Sequence, residues 1–381
     1  AGLKIRNSRP AVNQLPVAMG CSSSAIVEQS NFHDTYTLQD SLGRGAFGEV
    51  RRARSVGTGA LRAAKLVDLQ GAHSSQVGFC SVDQKLLNKA RSELQIWQRI
   101  GHHPNCVELC EVFLGRGCYY IVMELCDGTL MDRLEVIPQM TTAGIVNYFH
   151  GMLSGTEHLH RVGVVHRDIK PDNFLLNGQA VKIGDFGMAC TLPRRGPLTA
   201  QCGTGPYMSP EMLSGIGYRE KTDMWSLGVT AYVLLYNTFP YMPASGTEIS
   251  YEAMKQATLD EALSPRYERA GPDPARKFNW AVDFVSALLQ RSPHRRLAAA
   301  QALEMPLFST DYTPCDVVAG RMSSISCPDK LDASSSANTQ AYSICSLAST
   351  GISGLDSQSQ LSSTGSSSTS QQSCTPLRLS M

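Results

Sequence analysis

The sequence predicts an α+β chain in which a small strand-rich part comes first and a larger helical part follows, and three observations carry that expectation. From Tyr36 the phrase YTLQDSLGRGAFGEVRRARSVGTGALRAAKLVDL alternates apolar and polar residues and is broken by glycine clusters, the pattern of three antiparallel strands. A single helical period follows through Leu86, Leu87, Ala90, Leu94, Trp97 and Ile100, then strands near 107–114 and 118–124, and beyond Gly128 the apolar spacing turns helical. At 381 residues the chain has room for a two-lobed domain of roughly 250–300 residues plus tails.

Residues 1–35 show no sustained period and include Pro10 and Pro16, so they read as an unstructured leader. Within it, residues 19–24 spell MGCSSS. With Met19 as the first residue of a chain, Gly20 would take myristate and Cys21 palmitate; inside a longer chain the motif is an inert polar linker. Lys4, Arg6 and Arg9 without nearby acids leave a transit peptide as a third reading. The formal net charge of +1 gives no polyanion signature, so nucleic acid is not an expected partner. Twelve cysteines occur without CxxC pairs, and Cys106 and Cys110 lack companion ligands, which argues against zinc or a disulfide framework and for the reduced thiols of the cytoplasm. No apolar run approaches the roughly 20 residues of a membrane-spanning helix, so membrane association is expected only through acylation.

Gly43, Gly45 and Gly48 fall in the first hairpin. Glycines in this pattern also serve dinucleotide folds, but those need a helix straight after them, and here Val50–Ser55 continues as a strand. The glycines then let backbone amides close over phosphates, with Phe47 at the tip and Leu42 and Val50 as an apolar cover for a base. Between Gly71 and Asp83 lies a polar stretch longer than an ordinary loop, an insertion without assigned purpose.

The stretch from Val164 to Gly187, VVHRDIKPDNFLLNGQAVKIGDFG, packs polar chemistry between two apolar strands. Phe174, Leu175 and Leu176 run into a turn at Asn177 and Gly178, and Val181, Lys182 and Ile183 return, delivering Asp185 beside the first loop. A hydroxyl acceptor needs one carboxylate to orient it and take its proton; nucleotide phosphates need magnesium, held by a second carboxylate and an amide oxygen. Asp168, Asp185 and Asn173 supply that set. HRD, a lysine two residues on, an asparagine five on and then DFG together resemble the eukaryotic protein kinase family.

The resemblance covers about Tyr36 to Phe308 and implies a two-lobed fold, with an N-terminal lobe at 36–123, a hinge at 124–126 and a helical lobe at 127–308, ATP lying between the lobes. It implies that Lys65, with Ala63 beside it, sets the α- and β-phosphates and pairs with Glu93. Met123 is the implied gatekeeper, and the Glu124–Cys126 backbone would bond adenine. Asp168 would receive the hydroxyl proton, Lys170 steady the γ-phosphate, and Asn173 and Asp185 hold Mg2+. GTGPYMSPE resembles the family's substrate-docking loop, with Ser209 replacing an alanine and Thr204 in the serine/threonine pattern. Glu211 would pair with Arg296 and Asp223 would hold the catalytic-loop backbone. Arg167 stands where many members of the family grip an activation-loop phosphate, but Ala200 occupies the usual acceptor position, so the loop is expected to be competent without phosphorylation, with Thr199 as an auxiliary site.

HRDIKPDNFLL and CGTGPYMSPE are closest in wording to calcium/calmodulin-dependent and calcium-dependent kinases. The expected partners are therefore protein substrates with Ser/Thr acceptors in intracellular signalling. Residues 309–381, rich in serine, threonine and glutamine, read as a disordered tail without a D-x-D-x-D-G loop, so no attached EF-hand is expected. Two rivals stand beside this reading. A pseudokinase scaffold would use the fold without phosphotransfer, but Lys65, Asp168 and Asp185 are all present; a small-molecule kinase is disfavoured by the peptide-docking loop.

Overall fold

The structure, a computed structural model, describes residues 31–45, 48–69, 83–115, 117–134, 136–137, 140–244, 247–267 and 279–309. The acylation motif with Met19, Gly20 and Cys21, the loop tip at Phe47, nearly all of the polar insertion and the tail beyond Ser309 lie outside the described residues.

The N-terminal lobe begins with a short helix, α1 (Phe32–Thr35), and three strands, β1 (Tyr36–Gly45), β2 (Gly48–Ser55) and β3 (Leu61–Asp68). Helix α2 (Gln84–Ile100) follows, then β4 (Leu109–Leu114) and β5 (Cys118–Met123). The sheet runs β1-β2-β3-β5-β4 with antiparallel neighbours throughout. The strand expected from residue 107 starts two residues later, because Val107 gives its N–H to Ile183 O in the other lobe. The leader also ends earlier than its lack of periodicity suggests. Asn31 caps α1, and Phe32 is buried, stacked on Tyr120 at 4.2 Å between ring centroids and edge-on to Phe113 at 5.6 Å. One isolated aromatic carries no period, yet it closes a small second core with Tyr36, Ala53, Ala64, Phe113 and Val122.

Asp83 caps α2 by accepting from Lys85 N and Leu86 N, and Gly101, at φ 65, ends it. Its buried stripe is Leu87, Ala90, Leu94, Ile96, Trp97 and Ile100, apolar except for one buried acid, Glu93.

The second lobe adds β6 (Gly128–Thr129), α3 (Thr142–Arg161), β7 (Val164–Val165), β8 (Phe174–Asn177), β9 (Ala180–Ile183) and β10 (Cys190–Thr191). Then come α4 (Pro210–Leu213), α5 (Lys221–Tyr236), α6 (Tyr251–Leu259), α7 (Asn279–Leu288) and α8 (Ala299–Leu303). Thr141 caps α3 on Gly144 N, and Ser250 caps α6 on Ala253 N. Helix α5 is buried at every residue from Thr222 to Tyr236, Asp223 included, with α7 packed on it and α8 on α3. The buried helix makes a fixed floor. The catalytic-loop stretch lies on that floor, held by β7 pairing with β10 and by the β8–β9 hairpin. No helix among the described residues is long and apolar enough to cross a membrane.

Candidate active site

The stretch after β7 is held from below. Asp223, wholly buried in α5, accepts from His166 N at 2.9 Å and Arg167 N at 2.8 Å, and His160 Nε2 lies 2.9 Å from the same carboxylate. Burial works against the Asp223 charge, but His160, His166 and the Arg167 N–H outweigh it and hold its pKa below the carboxylate range. This support bears on strain. Arg167 has φ 67 and Asp185 φ 53, left-handed conformations that side chains avoid, and both lie in this site.

The Asp168 carboxylate is caught on both oxygens. Thr204 Oγ1 donates to Oδ1 at 2.7 Å, while Lys170 Nζ is 3.2 Å and Asn173 Nδ2 3.1 Å from Oδ2. Lys170 also donates to Thr204 Oγ1 at 2.8 Å, closing a triangle. Gly203 allows this closure: at φ 98, a Cβ on it would stand 2.3 Å from Arg167 O. Asn173 Nδ2 donates to Asp168 O at 2.7 Å as well, so its amide nitrogen is committed to the loop and its oxygen is left as the acceptor. The backbone carbonyl of Asn173 takes Gly184 N at 2.9 Å, which draws Asp185 in beside it.

Asp185 reaches across to the other lobe. Lys65 Nζ, on β3, is 3.1 Å from Asp185 Oδ1 and 2.7 Å from Glu93 Oε1 of α2. Lys65 and Glu93 are buried, whereas the Asp185 side chain is 43 % exposed. Burial disfavours the Lys65 ammonium, but Asp185 and Glu93 outweigh that and raise its pKa; burial likewise raises that of Glu93 against the pull of Lys65. For Asp185, burial is overcome by Lys65, His166 and the Gly187 N–H, and the pKa falls below the ordinary value. Two carboxylates share one ammonium here. Phe186 fixes the geometry, buried between Trp97 of α2 at 5.2 Å and His166 at 5.7 Å.

The remaining candidates line the same region to different degrees. Gly43 pairs with Val50 and Gly45 with Gly48 in the first hairpin, and a Cβ on Gly48 would lie 2.1 Å from Leu66 O, so the hairpin closes tightly onto β3. Val50 packs on the main core, but Leu42 is 42 % exposed. Ala63 pairs with Met123, both buried, at the inner end of the sheet. Glu124 gives its N–H to Glu108 O at 3.1 Å and its side chain to Lys182 at 2.9 Å; among the described residues no hydrogen bond takes the Glu124 carbonyl or the Cys126 N–H. Arg296 bonds Glu211 through both amino nitrogens, at 2.6 and 3.0 Å. Thr199 is exposed, apart from these clusters.

Two residues that hold the site were not singled out by sequence. His160 ends α3 on the face turned to Asp223, where its position at the end of an apolar helical period is the only signal. Tyr218 donates its hydroxyl to Ala200 O at 2.6 Å and takes Arg167 Nη1 at 3.4 Å; nothing local in SGIGYRE marks it.

Comparison with known proteins agrees with this geometry. The model of the protein kinase domain matches residues 36–308. The hormonally up-regulated neu tumor-associated kinase of Mus musculus is 35 % identical over 284 residues, covering 72 % of this chain and 37 % of its own length. A probable myosin light chain kinase of Dictyostelium discoideum is 31 % identical over 283 residues, 73 % of this chain and 75 % of that protein. The CBL-interacting serine/threonine-protein kinase 8 of Arabidopsis thaliana is 31 % identical over 288 residues, 74 % and 59 % of the two chains. The chain thus spans little more than a third of the length of the mouse relative. With a strand-rich lobe, a helical lobe and a domain match over most of its length, the chain belongs to the eukaryotic serine/threonine protein kinase family.

Proposed function

We propose that the chain transfers the γ-phosphoryl group of ATP to serine or threonine hydroxyls of protein substrates. The observation that carries this reading is the Asp168 carboxylate held by Thr204, Lys170 and Asn173, with Asn173 leading directly to the Asp185–Lys65–Glu93 cluster. A scaffold that had given up catalysis would have no need of a carboxylate oriented on both oxygens.

The residues present fit a nucleotide and a divalent cation. Glu93, Asp185 and Lys65 carry one negative charge in excess, and the Asp185 carboxylate and Asn173 amide oxygen are the hard oxygen donors that Mg2+ takes. Among the described residues no group of three or more His, Cys, Asp or Glu could hold a metal ion, so the cation would need phosphate oxygens to complete its shell. The unengaged Glu124 carbonyl and Cys126 N–H suit the edge of a base. Held by Asp185 and Asn173, Mg2+ would neutralise charge on the phosphate oxygens.

The protein's own groups do the remainder. Lys65, kept charged by its two acids, holds the α- and β-phosphates; Asp168 orients the substrate hydroxyl and accepts its proton as the oxygen attacks; Lys170 balances charge at the γ-phosphate; Thr204 keeps the docking loop against both. Radiolabel transfer from ATP to a generic protein substrate tests the reading. Transfer by the wild type and its loss in Asp168→Asn support it, and equal transfer by both would mean that a contaminant supplies the activity.

A further inference from the structure

Residues 192–202 run between β10 and the docking loop, and a single buried side chain gathers them. Tyr218 is 3 % exposed. Its backbone exchanges two hydrogen bonds of 2.8 Å with Leu198, an isolated bridge between segments far apart in sequence. Its hydroxyl donates to Ala200 O at 2.6 Å and lies 4.0 Å from Cys202 Sγ. Both neighbours of Tyr218 add to the grip: Arg219 Nη1 donates to Gly196 O at 2.7 Å, and a Cβ on Gly217, at φ 91, would stand 2.8 Å from Pro197.

The same hydroxyl reaches the catalytic loop. Arg167 donates through Nε to Met188 O at 2.7 Å, just before β10, and through Nη1 at 3.4 Å to the Tyr218 hydroxyl, which itself meets the segment near its end. A guanidinium beneath such a segment is suited to an anion, and a phosphate is the strongest fit. Here a carbonyl and a phenol take two of its donors. The phenol passes the connection on to Ala200, two residues before the Cys202–Gly203 step that presses on Arg167 O and delivers Thr204 to Asp168.

We propose that Tyr218 is a positioning residue that holds residues 198–202 over the catalytic loop, its hydroxyl joining Arg167 to the Ala200 carbonyl, so that Thr204 meets Asp168 without a phosphate on the segment. As a statement about catalysis this rests on the kinase reading above; as a statement about the segment it does not.

The experiment compares phosphatase-treated full chain with its Tyr218→Phe variant, which keeps the ring and removes the hydroxyl. Peptide kcat/KM should fall about tenfold, the order expected for one or two lost hydrogen bonds, while KM for ATP stays within about twofold and Tm within about 2 °C. Trypsin should cut faster after Arg194 and Arg195, both exposed on the segment. The effects of Tyr218→Phe and Arg167→Met should be less than additive, since each breaks the same link. Unchanged peptide kinetics and unchanged cleavage in Tyr218→Phe overturn the proposal. So does a fall in Tm and in ATP affinity that tracks the loss of activity, which would mark a merely structural role. A more than tenfold loss in the wild type on phosphatase treatment assigns the hold to a phosphate instead. If the wild type transfers no phosphate, the kinase reading fails, and the trypsin comparison still decides whether Tyr218 holds the segment.

Discussion

Two buried ion pairs join distant parts of this chain, and they are completed in opposite ways. Arg296 and Glu211 are 1 % and 4 % exposed, and the guanidinium has further carbonyl partners: Gln290 O at 3.0 Å, Lys221 O at 2.7 Å and Arg291 O at 3.4 Å, with Trp225 beneath it at 5.2 Å. Both charges are matched within the protein. Lys65 instead faces two carboxylates, and one of them, on Asp185, stands partly open to solvent. A buried pair survives desolvation only with such complete hydrogen bonding, which Arg296–Glu211 has; the Lys65 cluster keeps a charge over, which suits the cation and phosphates of the proposed function. One pair fastens α4 to the loop before α8, and the other links β3 and α2 to Asp185.

The largest effect that could break this comparison is on turnover. Lys65→Met and Asp168→Asn should each lower phosphate transfer by about a thousandfold or more, because positioning and electrostatics are nearly all that such a site contributes. Lys65→Met should nevertheless cost less stability than Arg296→Met. Glu93 already has a raised pKa, so it can take up a proton once its partner is gone. Equal losses of Tm in the two variants would end the distinction between a functional and an architectural pair.

Next in size is Glu211→Gln, which leaves Arg296 buried without its counter-charge. Breaking a buried pair costs about 3–5 kcal/mol, which in a domain of this size is about 10 °C in Tm. Calorimetry on Glu211→Gln and Glu93→Gln gives the comparison directly, with the larger drop expected for Glu211→Gln.

Ligand binding sharpens the same contrast. Mg2+ and ADP at about a hundred times their dissociation constant should stabilise the wild type by about 2.7 kcal/mol. Asp185→Asn should lose most of that gain and Glu211→Gln should keep it. A full thermal shift in Asp185→Asn would remove the cation from that carboxylate.

How much of this could be read from the residues depended on how local the signal was. Strand alternation after Tyr36 and the 3.6-residue period of α2 are short-range, and the sheet and helix lie where those patterns run. Asp168, Asn173 and Asp185 stand out because they flank one hairpin at a recognisable spacing, although Thr204 and Lys65, which meet Asp168 and Asp185, come from elsewhere in the chain. Glu93 is legible through the family resemblance, and the structure shows it as the one acid in the buried stripe of α2. Tyr218 and His160 are different, since their partners arrive from other parts of the chain through the Leu198 bridge and the floor of α5. Phe32 is legible only once the sheet has twisted Phe113 and Tyr120 into place. Composition gave no warning of any of these three.

The smallest effect separates the Lys65 cluster from its surroundings by pH. His103 stacks on His158 at 4.3 Å between ring centroids, and its Nδ1 accepts Asn105 N at 3.2 Å, so protonation there must break a bond. Burial, followed by the nearby His158 and Arg161, lowers its pKa to about 4 from 6.5. Between those values the unfolded chain binds the extra proton and the folded chain does not, so stability falls as pH drops from about 6.5 towards 4. Asp185 acts in a lower window: its depressed pKa gives a contribution present above the ordinary value of 3.8 and lost as pH falls through the folded value. Lys65, with a raised pKa, contributes fully below the ordinary value of 10.5 and loses that contribution only as pH rises through its folded value. The windows of these three groups do not overlap. Glu93, whose pKa is raised above its ordinary 4.5, titrates inside the His103 interval but with the opposite sign, adding stability as pH falls. His103→Asn, which retains an acceptor for Asn105 N, should therefore flatten Tm between pH 6.5 and 4.5 by a few degrees, about 1 kcal/mol after allowing for partial exposure. Asp185→Asn should leave that interval unchanged. If instead Asp185→Asn flattens it and His103→Asn does not, the acid loss belongs to the cleft, and the Lys65 cluster is tied to folding much as Arg296 and Glu211 are.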